Sequence, residues 1–219
     1  MDRIASERNS ENYRNGYPGR EDDPNLTDNL KFYRSEIEST PDGACIDEIL
    51  SKWYGDYRFL ERHQGFIQWL FPIREGGMNC HAKPLQLHEA EAIKADPKAH
   101  KRFLEAYKMM LDFYGMKLVD EATGRLERSE NWRQRFEYLN WSSNNYMRIT
   151  RMLKSLGELG YEHLKKGFIQ LVLVEALEYG TLDRALNSCR DYWIGTIRSD
   201  KIRNEFYNYI DDHMSVTER

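Results

Sequence analysis

The sequence predicts an all-α fold: a single compact domain of about eight to ten helices, preceded by a mobile polar N-terminal arm. Three observations carry this reading. Apolar residues recur at spacings of three and four in one segment after another, as a buried helix face requires. No stretch alternates apolar and polar residues convincingly enough to be a half-buried strand, and no internal repeat is visible. Helix borders are marked, most clearly by Asp96-Pro97 before the longest periodic run and Gly115 after it.

The elements follow in chain order. Residues 1–27 are rich in Asn, Arg, Glu and Gly and poor in aliphatics. Such a segment buries too little to offset its ordering entropy, so it is expected to be a mobile arm, or one laid along the domain at 28–213. The compact part begins near Asn29-Leu30-Lys31-Phe32-Tyr33. Pro41-Asp42-Gly43 is a turn, after which Ile46, Ile49, Leu50 and Trp53 repeat at helical spacing. Gly55 and Gly65 punctuate the next segment, whose apolar side is Tyr57, Phe59 and Leu60. The aromatic run from Phe66 stops at Pro72 and gives way to a glycine-broken polar loop that Pro84 closes.

Pro84 can open a short helix through Leu87, Ala90 and Ile93. Asp96 is a good N-cap, and Pro97 suits the first helical position, where its missing N–H costs nothing. Phe103, Leu104, Tyr107, Met110, Leu111 and Tyr114 then form one broad apolar stripe. A loop around Thr123-Gly124 leads to Trp132, Phe136, Leu139 and Trp141. Ser142 or Ser143 can cap a helix running to about Leu159, with Met147, Met152, Leu153, Leu156 and Leu159 on its buried side. Residues 161–179 are apolar nearly all round at the centre and belong inside the bundle. Two more helices, about 182–196 and 198–213, complete the domain.

Composition narrows the function. A formal net charge of -4 argues against a dedicated nucleic-acid binder, although local basic patches remain open. Cys45, Cys80 and Cys189 are odd in number, far apart and without a C-x-x-C pair, which signals neither a disulfide framework nor a zinc module. A reducing compartment is expected, and the first residues lack the apolar core of a signal peptide. The most apolar stretch, 168–177, is roughly half the ~20 residues a spanning helix needs. No cofactor, metal or catalytic set is signalled, since phosphate-binding, zinc-protease and nucleophile-elbow motifs are all missing from the sequence.

Two constellations are candidates for binding. Asn144, Arg148, Arg151 and Ser155 fall at i, i+4, i+7 and i+11, so they line one side of the predicted 143–159 helix. Around them Arg133, Arg135 and Lys154 add charge, against the single acid Glu137. Such a cluster suits a phosphate, a carboxylate or an acidic protein partner; the alternative is a solvated face paired with acids elsewhere. The second constellation is the loop from Arg74 to Lys83 with Asn79 and His81. Gly76-Gly77 lets its backbone turn or approach a ligand closely; the alternative is a tight connection whose polar groups satisfy helix ends. His81 beside Cys80 has no partner at the spacing of a nucleophile or metal site. Trp53, Trp69, Trp132 and Trp141 each sit at the edge of an apolar run and are expected in the core rather than stacked on a ligand.

The stretches Asn29-Leu-Lys-Phe-Tyr-Arg34, Ile67-Gln-Trp-Leu-Phe-Pro72, His81-Ala-Lys-Pro84 and Arg148-Ile-Thr-Arg-Met-Leu-Lys-Ser-Leu-Gly-Glu-Leu-Gly160 resemble the conserved domain of the opioid growth factor receptor family. Tyr13-Arg-Asn-Gly-Tyr-Pro-Gly-Arg20 is similar to the lead-in to that domain, and the likeness runs in order from about residue 13 to 195. The resemblance implies a non-enzymatic receptor, unrelated to seven-helix receptors, that binds methionine enkephalin and restrains cell proliferation at the nucleus and perinuclear membrane. It implies a small enkephalin-like peptide as partner and permits peripheral membrane association without a spanning helix. The acidic, proline-rich tail and the basic nuclear-localisation run of longer members do not occur in these 219 residues. A zwitterionic peptide with an aromatic amino-terminal end needs a cation, an acid and an apolar cleft; Asp56 or Glu61 could supply the acid.

Overall fold

A computed structural model describes residues 3–217, with side chains from Ala5 to Ser215. Among the described residues its regular structure is helical apart from one hairpin, as the periodicity predicts. The chain resolves into two compact units, one of residues 19–113 with 158–160, the other of residues up to Pro18 with 114–157 and 161 onward.

The unit of residues 19–113 holds helices α2 (Asp28–Tyr33), α3 (Ile46–Glu48, continued by a π-helical turn over Ile49–Trp53), α4 (Tyr57–Arg62), α5 (Phe66–Leu70), α6 (Leu87–Ala95) and most of α7 (Pro97–Tyr114). All six residues of the predicted α7 stripe are buried. Asp96 caps α7 as its position suggests, its Oδ1 accepting from the backbone N–H of Lys98 (3.1 Å) and Ala99 (3.2 Å). The core is aromatic: Tyr33 meets Phe103 edge-on with ring centroids 5.9 Å apart, and Phe32 meets Trp69 at 5.3 Å. Buried Glu89 ties α2 to α6, accepting from the backbone N–H groups of Asn29 (2.9 Å) and Gln86 (2.9 Å) and from the Asn29 amide (3.0 Å). Pro84 precedes rather than opens α6, which starts at Leu87.

The other unit contains α1 (Arg3–Arg14), the antiparallel pair β1 (Met116–Asp120) and β2 (Arg125–Arg128), α8 (Trp132–Trp141), α9 (Asn144–Glu158), α10 (Leu164–Leu177), a run of short helical turns from Asp183 to Thr196 that includes α11 (Leu186–Ser188), and α12 (Asp200–Thr217). The hairpin corrects the expectation that no strand occurs. Its strands are only five and four residues long, and Met116 and Leu126 are their only buried side chains, so no alternating pattern could surface. Its turn is seated on α10: Gly167 carries no Cβ, and any Cβ there would overlap the Gly124 carbonyl. Arg128 of β2 then grips the nearly buried Glu175 of α10 through two charged hydrogen bonds (2.6 and 2.7 Å).

The N-terminal segment differs most from expectation. Residues 3–14 form helix α1, and Ser6, Ser10, Tyr13 and Tyr17 are buried. Their spacing of four, three and four is a helical stripe. It escapes an aliphatic count because it is built from serine and tyrosine. Small Ser10 lets α1 close on Gly195, and the Ser6 hydroxyl and the Arg14 guanidinium donate to the carbonyls of Asp191 (2.9 Å) and Gly195 (2.7 Å). Residues 19–27 belong to the unit of residues 19–113, where Asp22 and Asp23 bond to Leu87 and Gln86. Neither part is a free arm. No helix among the described residues is long and apolar enough to cross a membrane.

Candidate functional site

The loop after α5 is a clamp. Gln68 projects from α5, accepting from the Asn79 backbone N–H (2.5 Å) and donating to its carbonyl (3.0 Å). Asn79 in turn donates to the carbonyls of Thr40 (2.7 Å) and Gly65 (3.0 Å) and accepts from the His81 backbone N–H (3.0 Å). Arg74 is buried and held by Asp22 (3.0 Å) and the Arg20 carbonyl (3.4 Å). His81 and Lys83 reach solvent, as do Met78 and Cys80. Asp56 caps α4 through the Phe59 N–H (3.0 Å). The polar groups of Arg74 and Asn79 therefore join turns and helix ends, the alternative weighed for this loop.

The basic face of α9 lies in the other unit, and it is not the solvated side that its composition suggests. Asn144 is exposed and Arg151 half-buried, but Arg148 and Ser155 are buried, together with Asn145 and Lys154. Met147, expected inside, is 65% exposed. The reason is α1. Asn9 accepts from the Lys154 ammonium (2.6 Å), and the Tyr13 hydroxyl donates to the Lys154 carbonyl (2.9 Å). Helix α1, in the segment expected as a mobile arm or one laid along the domain, is thus docked on Lys154 beside that face.

Tyr13 occupies a polar pocket in this unit. Its ring is fully buried, with the cationic groups of Lys165, Arg198 and Lys154 at 4.8, 5.0 and 5.6 Å from the ring centre, within cation–π range. Its hydroxyl accepts from the Lys165 ammonium (2.7 Å). Lys165 has no exposed surface; its ammonium donates to Tyr13 and to the Thr196 carbonyl (2.8 Å) and forms an ion pair with Glu162 (2.7 Å). Glu162 also accepts from the Arg198 backbone N–H (2.9 Å), and the Arg198 guanidinium donates to the Gly157 carbonyl (2.7 Å). A Cβ at Gly157 would lie 2.6 Å from the Lys165 nitrogen and against the Tyr13 hydroxyl. Glycine here makes the room in which phenol and ammonium meet. In sequence these residues are dispersed from 13 to 198, so no motif marks them.

Elsewhere in the same unit two arginines lie over aromatic rings. Arg128 lies over Trp132 at 3.8 Å and Tyr179 at 4.8 Å, and Arg184 covers Trp141 at 3.4 Å. Trp141 is 68% exposed and leaves the expected core set; Trp69 is buried, while Trp53 and Trp132 are half-buried. Glu38, Cys45 and Glu48 bring ligand atoms within 4.8 Å of one another, but Glu48 is engaged by Lys52 (2.7 Å).

Residues 22–219 match the family model described as the opioid growth factor receptor conserved region. Among curated proteins, the chain is 46% identical over 208 residues to opioid growth factor receptor-like protein 1 of Mus musculus, covering 94% of this chain and 45% of that protein. It is 42% identical over 203 residues to the opioid growth factor receptor of Homo sapiens, covering 92% of this chain and 30% of that protein. The chain thus spans less than half the length of these relatives. No solved structure matches it.

Proposed function

This chain belongs to the opioid growth factor receptor family, and from that premise we propose that it is a non-enzymatic peptide-binding module that restrains cell growth. Its ligand is a short tyrosine-bearing peptide of the enkephalin type, and it works in the cytoplasm and nucleus, including the perinuclear zone. The single observation that supports the ligand class is the seat of Tyr13. Three cations gathered round one buried phenol make an environment suited to a tyrosine side chain next to a carboxylate.

Calorimetric titration of methionine enkephalin into the full chain tests this. Saturable binding that changes little between low and high salt is the expected result, because a small peptide held mainly by packing and desolvated contacts is weakly screened. Absence of saturable heat at millimolar peptide sinks the reading.

The ring-and-arginine surface favours a second reading, an interaction module that docks an acidic protein or nucleic-acid phosphates. Trp141, Tyr179, Arg128 and Arg184 would carry it. Binding of this kind falls steeply with salt, and replacing Arg128 and Arg184 by Ala should weaken it at least tenfold. Equal affinity before and after that double replacement removes the surface from consideration.

A further inference from the structure

The pocket around Tyr13 is filled by the chain itself. Of the α1 side chains described, Ser6, Ser10 and Tyr13 are buried, and Tyr13 is the only large one. An isolated helix of this length does not persist in water, so α1 stays formed by being docked, and Tyr13 is its anchor. The chain then turns sharply, with positive φ at Gly16, Tyr17 and Gly19 (+70°, +57° and +79°), and the buried Tyr17 ring meets Tyr13 edge-on at 6.1 Å. At Pro18 the chain leaves this unit for the other.

The pocket itself is made by elements other than α1. Gly157 and Lys154 come from α9, Lys165 from α10, Glu162 from the turn between them, and Arg198 from the residues before α12. Lys165, which has no exposed surface with α1 docked, would face the volume that α1 vacates. Elements with few buried contacts open at low free-energy cost relative to global unfolding.

We propose that α1 is an internal occupant of a tyrosine-binding pocket and regulates peptide binding by competing for it. The proposal rests on the peptide-binding reading above and adds its control. The occupant it predicts is a peptide whose tyrosine replaces Tyr13 against Lys165 and whose carbonyl or carboxylate replaces Asn9 against Lys154. A binding-competent state populated only in part reduces apparent affinity by that fraction, so loosening α1 should strengthen binding and fastening it should abolish binding.

Two variants of the full chain test this in opposite directions. Tyr13→Ala vacates the pocket. Ser10→Cys with Gly195→Cys fastens α1: a Cβ at Gly195 lies 3.1 Å from the Ser10 Cβ, a few tenths of an ångström short of the usual disulfide range. Methionine enkephalin should bind Tyr13→Ala at least tenfold more tightly than the unaltered chain. It should bind the oxidised double-cysteine form at least tenfold more weakly, with recovery on reduction. If the unaltered chain binds and either variant binds with the same affinity, the competition model is overturned while peptide binding stands. If no form binds the peptide, the functional reading fails and 4-methylphenol judges the pocket alone. Saturable thermal stabilisation of Tyr13→Ala, lost in Tyr13→Ala with Lys165→Met, supports a tyrosine pocket; no stabilisation overturns it.

Discussion

Gly157 shows how one missing Cβ organises a site. It lies near the end of α9, where alanine is the better helix former by roughly 0.5–1 kcal/mol. Propensity alone therefore predicts that Gly157→Ala stabilises. The added methyl would instead meet the Tyr13 hydroxyl, Glu162 and Lys165 at once, and overpacking of a filled site costs about 1–3 kcal/mol. We expect the second effect to win, with net destabilisation of about 1–2 kcal/mol in urea unfolding. The cause can be isolated by a double-mutant cycle. In a Tyr13→Phe background the clashing oxygen is gone, and the penalty of Gly157→Ala should shrink by at least half. An equal penalty in both backgrounds would place the strain elsewhere.

At the scale of elements, the order and type of most helices follow from what the sequence displays. The α7 stripe, the Asp96 cap and the Gly115 stop are local signals, and each is realised in the structure. The failures share a cause. Helix α1, the hairpin and the burial of polar residues on α9 depend on partners distant in the chain: Ser6 and Ser10 pack where Asp191 and Gly195 lie opposite, and Lys154 is met by Asn9 and Tyr13 of α1. Among the site candidates, Arg74 and Asn79 were conspicuous because they are polar in a glycine-broken loop, yet that polarity serves turns. The Tyr13 pocket could not be seen, since its members are scattered over five segments. A related tie between elements is Arg102 of α7, buried and clamped on Asp47 of α3 at 2.7 and 2.6 Å, with the Tyr33 carbonyl at 3.0 Å. The hydrogen bond to Arg102 holds the Asp47 carboxyl below its ordinary value. A depressed acid stabilises the fold above its unfolded value near ~4 and loses that contribution as pH falls through the folded value. Asp47→Asn should cost about 1 kcal/mol at pH 7, discounted for the exposure of Asp47. It should also flatten the acid limb of stability below pH ~4. A variant whose stability tracks the unaltered chain from pH 7 to pH 2 would show that the clamp contributes nothing.

At the scale of the molecule, the chain begins in one unit, builds the other from residues 19–113, and returns to complete the first. The N-terminal residues therefore belong to both cores in succession, and the domain limit of residue 28 suggested by composition cuts through each. Removing residues 1–18 deletes Tyr13 from its pocket. Loss of a buried aromatic costs about 3 kcal/mol at the lower end, or roughly 6–12 °C in a chain of this size. Removing residues 19–27 as well takes away the Asp22 carboxylate and Arg20 carbonyl that hold buried Arg74, and a hydrogen bond to a charged group contributes about 1.5–3 kcal/mol. Thermal midpoints should thus fall in two steps, from the full chain to 19–219 and again to 28–219, with helical circular dichroism largely kept in 19–219. The first step also bounds the regulation. If docking α1 is worth about 3 kcal/mol, the open form is populated to roughly 1%, and freeing the pocket can raise peptide affinity by at most about 100-fold. A midpoint for 19–219 equal to that of the full chain would mean that Tyr13 adds no stability, and with it the physical basis for competition would be gone.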